Sequence, residues 1–172
     1  MQKRFRIFGA ITIIFTMLIF YGTVSMQMDT LNVLIPVFEA DYGWSRVAIN
    51  QATSVGSGVA IATGFLAATL AMRLGIKRVN TFGLFALGAA TVVLAQAQTL
   101  GLTCAAIIAV QALAPFCMLG ALTYNTNWFI RKRGWALGIA TMAFPIGSAT
   151  FAPTTTNLIG IIGKEATFTG MG

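Results

Sequence analysis

The chain has 172 residues, of which 57% are hydrophobic and only 9% are charged, with eleven Lys and Arg against four Asp and Glu and no His. A soluble domain carries about 25% charged residues, and the mean hydropathy here is +0.82, so the composition indicates an integral membrane protein. The absence of His removes Ser–His and Cys–His catalytic pairs and the usual zinc ligand sets. We therefore expect no enzyme activity, no metal site and no cofactor.

Four long runs contain no Asp, Glu, Lys or Arg: Ile7–Met28, Val47–Met72, Val79–Ile130 and Gly134–Gly163. A bilayer-spanning helix needs about 20 apolar residues, and the third run is long enough for two helices joined by a polar turn. We predict an all-α membrane protein with a single domain over residues 1–172. Its five spans are expected at about 8–37, 47–71, 79–97, 102–128 and 135–161.

The N-terminus combines a basic segment with an apolar run, a pattern shared with secretory signals. The basic residues are Lys3, Arg4 and Arg6, and the run that follows them, Ile7–Met28, spans 22 residues. Signal sequences have apolar regions of about 7–15 residues followed by a small-residue cleavage site. Neither property is met here, so we expect a retained first helix.

Asp29 is the one acidic residue inside the predicted spans. A carboxylate at membrane depth costs several kcal/mol, so it should face a cavity or a partner. It is either a proton-relay or substrate-contacting group, or the first helix ends near Met28 and Asp29 lies at the outer interface. The apolar segment Leu31–Phe38 that follows argues for the former, but the sequence leaves both open.

The second span carries Gly56, Ala60, Gly64 and Ala68 at a spacing of four, which places small side chains in one ridge along a helix. Such ridges let helix backbones approach closely in membranes. The ridge serves packing, or in addition a sliding contact between moving helices. Cys104 and Cys117 are thirteen residues apart in one predicted helix, about 20 Å along its axis, so we expect no disulfide between them.

Nine of the eleven basic residues fall in three clusters that border apolar runs. This is the positive-inside pattern of membrane proteins rather than a nucleic-acid-binding surface, and no nucleic-acid partner is expected. It predicts a multi-pass protein of the cell membrane (inner or plasma membrane) with its N-terminus in the cytoplasm. The clusters are Lys3, Arg4 and Arg6; Arg73, Lys77 and Arg78; and Arg131, Lys132 and Arg133.

The loop after the second span carries a recognisable pattern. A Gly is followed by a helix-ending Arg and then by a Gly with two basic residues, which resembles the inner-loop signature between helices two and three of the major facilitator superfamily. The matching residues are Gly64, Arg73, Gly75, Lys77 and Arg78. Met72 stands where that family has an Asp that helps to latch its two halves. The resemblance therefore implies a gating role for the loop but not that latch.

The entry to the fifth span resembles the monocarboxylate-porter and oxalate/formate-antiporter-like branch of the same superfamily. There an aromatic pair precedes a basic cluster and then small residues that begin a tightly packed helix. The corresponding residues are Phe129, Arg131, Lys132, Arg133 and Gly138. The segment Gly43-Trp44-Ser45 also resembles the opening of the branch's second helix, with Ser45 a suitable N-cap. The ending Gly163–Phe168 is a poor match to the family's entry to helix six.

The resemblance implies that the chain is the N-terminal half of a transporter, truncated near the start of helix six and inactive alone. A missing six-helix C-terminal half would complete it. It implies alternating-access secondary transport of a small solute, such as an organic anion or monocarboxylate, with protons as a possible coupled ion. Because the family's first and fourth helices line its central cavity, Asn32 and Tyr124 join Asp29 as candidate pathway residues.

A second hypothesis is a non-transporting five-span subunit or regulator that binds a partner through the ridge of small residues. The four prolines are expected to kink their helices, and the pair in the fifth span could provide a bend for gating or only a packing irregularity. These are Pro36, Pro115, Pro145 and Pro153.

Overall fold

The computed structural model describes the backbone of residues 2–162 and most of the side chains from Gly9 onward. The predicted ending at Gly163–Phe168 lies outside the described residues. The side chains of the first basic cluster, residues 3, 4 and 6, lie outside the described part as well.

The described chain is helical throughout, apart from short connections. One π-helix, Ser25–Asp29, joins the first two α-helices without a loop. The α-helices are α1 (Gln2–Val24), α2 (Thr30–Tyr42), α3 (Arg46–Leu74), α4 (Ile76–Ala95), α5 (Leu100–Trp128), α6 (Arg133–Thr141) and α7 (Ala143–Ile162).

Within the described residues, five helical segments are long and apolar enough to cross a membrane, which confirms the predicted fold class. The first segment combines α1, the π-helix and α2, so the prediction that the first helix ends near Met28 is wrong, and Asp29 lies within a continuous helical segment. The fifth segment combines α6 and α7, which are separated by a turn at Met142. Pro145 lies in the first turn of α7, where a missing N–H is tolerated.

Local signals in the sequence account for the helix boundaries. Gly43, with φ +66°, ends α2, and Ser45 caps α3 by accepting a hydrogen bond from the Val47 N–H at 3.2 Å, as predicted. Gly75 separates α3 from α4 with φ +87° and ψ +140°, a conformation open to Gly and strained for other residues. Thr99 caps α5 by accepting from the Leu102 N–H at 3.4 Å.

The centre of the bundle is α5, which packs against α1, α3, α4 and α6. Small residues allow these contacts. A Cβ on Gly56 of α3 would lie 2.9 Å from Gln111 Cβ, and one on Gly83 of α4 would lie 2.7 Å from Phe116 Cβ. Gly64 faces Pro115 at 3.8 Å. The ridge of small residues on α3 is therefore an internal packing surface at Gly56 and Gly64, which leaves less of it available for a partner protein.

The same contacts place the second and third basic clusters at one end of the bundle. Along α3, Gly56 faces Gln111 and Gly64 faces Pro115, so α3 and α5 run parallel. The α4 helix runs antiparallel to α5, because Gly83 faces Phe116 whereas Asn80 faces Gly120. The turn at Gly75 and the loop after Trp128 thus lie together. We call this the basic end.

Candidate functional site

A π-helix interrupts the first span and is the most distinctive local feature of the bundle. The Thr30 N–H bonds to the Ser25 carbonyl five residues back, and the Thr30 hydroxyl donates to the same oxygen at 2.9 Å. Single π-turns inside α-helices are rare and occur frequently at functional sites. This turn carries Ser25, Gln27 and Asp29, three polar residues within an otherwise apolar span.

Asp29 closes the π-helix and is buried, with 4% of its surface exposed. The Ser148 hydroxyl of α7 donates a hydrogen bond to its Oδ2 atom at 3.3 Å. Among the side chains that the structure describes, the one ion pair joins Arg46 to Glu39, so no described cation neutralises Asp29. A charged carboxylate at the centre of a membrane helix costs about 2.5–3.5 kcal/mol on insertion scales. The hydrogen bond from Ser148 therefore links this buried carboxyl in the first span to α7 in the fifth span.

A second polar contact joins the π-helix to the centre of the bundle. The side-chain amide of Gln27 donates to Gln111 Oε1 on α5. Gln111 is fully buried, and its aliphatic stem fills the space above Gly56 of α3. One glutamine side chain therefore touches both the first and the second membrane spans.

Two buried polar atoms near this contact have no hydrogen-bond partner among the described residues, namely Ser25 Oγ and Gln111 Nε2. Buried polar groups are nearly always paired with protein or ordered water. Together these groups provide a carboxyl and a hydroxyl on the π-helix and an amide on the neighbouring α5. That set can hold water or the polar group of a small solute.

The seam between α1 and α7 passes beside the same turn. The Tyr21 and Thr150 hydroxyls lie 3.2 Å apart, within hydrogen-bond distance. Gly147 permits the close approach, because a Cβ there would lie 3.2 Å from Ser25 Oγ and 3.5 Å from Tyr21 Cδ2. The first and fifth spans are thus in contact at the π-helix and at the preceding turn of α1. The seam continues toward the α6–α7 turn as an apolar depression of about 330 Å³.

The structure separates the three predicted pathway residues. Asn32 lies one turn beyond Asp29, but it is exposed. Tyr124 is half-buried and lines a groove of about 290 Å³ with Ile11, Thr12, Phe15 and Trp128. Phe15 precedes Asp29 by fourteen residues, or about 20 Å of helix, so Tyr124 lies near the basic end and does not join the π-helix cluster.

The charged side chains of the predicted gating loop are exposed. Arg73, Lys77 and Arg78 are exposed and lie on either side of Gly75. Arg73 occupies the last turn of α3, where a cation interacts favourably with the helix dipole. Met72, at the position of the missing carboxylate, is 81% exposed and gives the loop no charge partner.

The entry to the fifth span is held in place by contacts with α5 and α1. Asn125 is buried and donates from Nδ2 to the Ala136 carbonyl at 3.1 Å, while the ring of Phe129 packs against Gly9 of α1. The expected tight packing of small residues is met by Ala136 and Ala140, both fully buried. It is wrong for Gly138, where a Cβ would meet open space. The basic residues Arg131, Lys132 and Arg133 are exposed.

Sequence reasoning did not single out Gln27, Gln111 or Ser148 as site residues. The available signal was the polar cluster Ser25, Gln27 and Asp29 within an apolar run. The partners on α5 and α7 are 84 and 119 residues away in the chain, respectively. Only the packing of the helices brings them to the turn.

Five apolar spans in the described part of the chain, four of them packed around the central α5, define a multi-pass membrane protein. The model of the Major Facilitator Superfamily matches residues 7–172, which is nearly the whole chain, and the chain belongs to this family of membrane transporters. The match confirms the superfamily that the inner-loop residues predicted. No curated protein matches the chain, and no solved structure does.

Proposed function

We propose that the chain forms part of a proton-coupled transporter of a small solute that works by alternating access, with Asp29 as the proton-binding group. The observation that carries the proposal is the buried carboxyl of Asp29, in a π-helix, bonded across the seam to Ser148 of another span. A charge at that position is costly unless it is compensated. Protonation and release would therefore favour different arrangements of α7 against the first span.

For the solute we propose an organic anion such as a monocarboxylate, a class suggested by the resemblance of the fifth-helix entry to the porter branch. The described membrane spans provide no Lys or Arg beside the π-helix cluster. An anion would instead meet the Gln111 amide here, and its balancing cation would come from outside this bundle. This is consistent with a solute bound between two bundles near the bilayer midplane, as in transporters built from repeats.

We propose a separate bundle of six helices as the partner that completes the pathway. Two features support it. The α3 segment is the least buried of the five spans, and amide side chains are exposed on the first, second and fifth spans, among them Asn32, Asn50, Gln51 and Asn157. Polar side chains in membrane helices tend to face protein or a water-filled cavity rather than lipid. We propose the cell membrane as the location, with the basic end and the N-terminus in the cytoplasm, following the positive-inside rule.

The test compares Asp29→Asn with Glu39→Gln, the same chemical change at an exposed carboxyl. The complete product of the gene is reconstituted in liposomes that contain a pH-sensitive dye, and formate, lactate, pyruvate and oxalate are added in turn. Protein-free liposomes correct for permeation of the neutral acids. We expect Asp29→Asn to lose proton movement linked to solute entry, whereas Glu39→Gln retains it. Equal proton-linked flux in both variants at every pH would remove Asp29 from the mechanism.

The 172-residue chain reconstituted alone provides a separate test of the need for a second bundle. We expect it to show no saturable, gradient-driven uptake of these solutes, because one bundle encloses no path between two gates. Saturable uptake by the chain alone would contradict the proposed partner while leaving the proposed role of Asp29 open to the variant test.

A further inference from the structure

A groove of about 590 Å³ runs along the surface of α4 at the basic end. Five residues line it, Lys77, Arg78, Thr81, Phe82 and Phe85. They fall on one face of the helix over nine residues, about 12 Å along its axis. We propose that this groove binds an anionic phospholipid from the cytoplasmic leaflet, an interaction independent of the proposed transport function.

The groove has a basic half and an apolar half, which match the charged headgroup and the acyl chains of a lipid. Its basic half holds Lys77 and Arg78, both exposed and without a carboxylate partner among the described side chains. Its apolar half holds Phe82 and Phe85, which are 63% and 78% exposed. The phosphate of a lipid would meet the two cations, and its acyl chains would lie over the two aromatic rings.

Two further details favour an anion at the basic half. The Thr81 hydroxyl donates to the Lys77 carbonyl at 2.9 Å, so it satisfies its own helix and does not compete for the cations. The N-terminus of α4 has no side-chain cap, since the residue before it is Gly75. The free N–H groups of that first turn add a favourable field for a phosphate beside Lys77 and Arg78.

The position of the groove favours lipid over a protein partner. The α4 helix packs mainly on α5 and to a lesser extent on α3, whereas the π-helix cluster lies among α1, α5 and α7. The exposed amides proposed to face a second bundle lie on α2, α3 and α7. The exposed membrane face of α4 is instead largely apolar, at Phe82, Leu84, Phe85 and Val93. In one anionic leaflet the acyl chains lie at depth and the negative headgroups lie at the surface. An apolar helix face that ends in cations matches this order.

The second described basic cluster provides a matched comparison. Arg131 and Lys132 are exposed in the loop before α6, and they line none of the grooves described here. They can attract an anionic membrane surface, but no groove described here joins them to a row of aromatic rings as it does for Lys77 and Arg78. Removal of two charges there should affect general attraction to the surface without removing a specific lipid.

The test is lipid retention by the purified chain, measured by native mass spectrometry during titration with phosphatidylglycerol or phosphatidylcholine. We expect phosphatidylglycerol to bind in preference to phosphatidylcholine. The variant Lys77→Gln/Arg78→Gln should bind phosphatidylglycerol about 30-fold more weakly, equivalent to about 2 kcal/mol for two cation contacts. The matched variant Arg131→Gln/Lys132→Gln should bind within about threefold of the unmodified chain.

A third variant guards against a change in folding or membrane orientation caused by the loss of charge. Phe82→Ala/Phe85→Ala keeps both cations and should also weaken phosphatidylglycerol binding, with little effect on binding of the soluble headgroup glycerol phosphate. Equal losses in the two charge variants would indicate general surface attraction and overturn the proposal. Unchanged lipid binding in the Phe variant, or equal binding of both lipids, would overturn it as well.

Discussion

Gly83 provides the sharpest test of the packing between α4 and α5. A Cβ at this position would lie 2.7 Å from Phe116 Cβ, 3.2 Å from the Phe116 carbonyl carbon and 3.3 Å from the Cys117 nitrogen. Two of these atoms belong to the backbone, so a side-chain rotation cannot relieve the contact. Gly83→Ala must therefore push α4 away from α5 and disturb the packing between the two helices.

Overpacking of this kind costs about 1–3 kcal/mol. The control is Gly58→Ala on α3, where an added Cβ meets nothing within 4 Å and the free energy of unfolding should change by no more than about 0.5 kcal/mol. Unfolding is measured by titration of SDS into detergent micelles. Phe116→Ala should not rescue Gly83→Ala, because it keeps the Cβ and the backbone that make the clash. Equal stability of Gly83→Ala and Gly58→Ala would refute the close approach of the two helices.

Three other variants test separate features by the same unfolding assay. Gly75→Ala forces a non-Gly residue into φ +87° and should lower the free energy of unfolding by about 1–3 kcal/mol. Its control is Gly134→Ala, an open position with ordinary φ, which should be tolerated. Equal effects of the two variants would argue against the strained turn. Ser45→Ala removes the N-cap of α3 and should cost about 1 kcal/mol, and no loss would show that the cap is dispensable. Gly56→Val should destabilise the bundle by about 1–3 kcal/mol by displacing Gln111, and unchanged stability would argue against the contact between α3 and α5.

The number of spans and the type of fold could be predicted because hydropathy and charge are local properties of the sequence. The end of α2 at Gly43 and the start of α3 at Ser45 are each specified by residues at the boundary itself. The ridge around Gly56 and Gly64 indicated close packing, although the sequence did not identify α5 as the helix that fills it. These predictions depend on hydrophobicity and backbone conformational freedom, which are intrinsic properties of each residue type and do not require knowledge of the tertiary structure.

The functional cluster was harder to predict because it depends on contacts between distant segments. Asp29 stood out as a lone carboxyl, yet its burial against Ser148 and the π-turn that carries it follow from packing of the first and fifth spans. Tyr124 was predicted from the general arrangement of helices in the family, and the structure places it near the basic end, away from Asp29. A side chain's depth along a helix was readable from the sequence, but its neighbours on other helices were not.

The orientation of the bundle can be tested by cysteine labelling in intact cells. Gln98→Cys places a thiol in the turn between α4 and α5, and Lys132→Cys places one at the basic end; both native residues are exposed. The unmodified chain, whose Cys104 is half-buried and Cys117 buried, measures the background. A membrane-impermeant maleimide should label Gln98→Cys from outside and Lys132→Cys only after permeabilisation. The reverse pattern, or labelling of both from the same side, would contradict a bundle that spans the bilayer with its basic end in the cytoplasm.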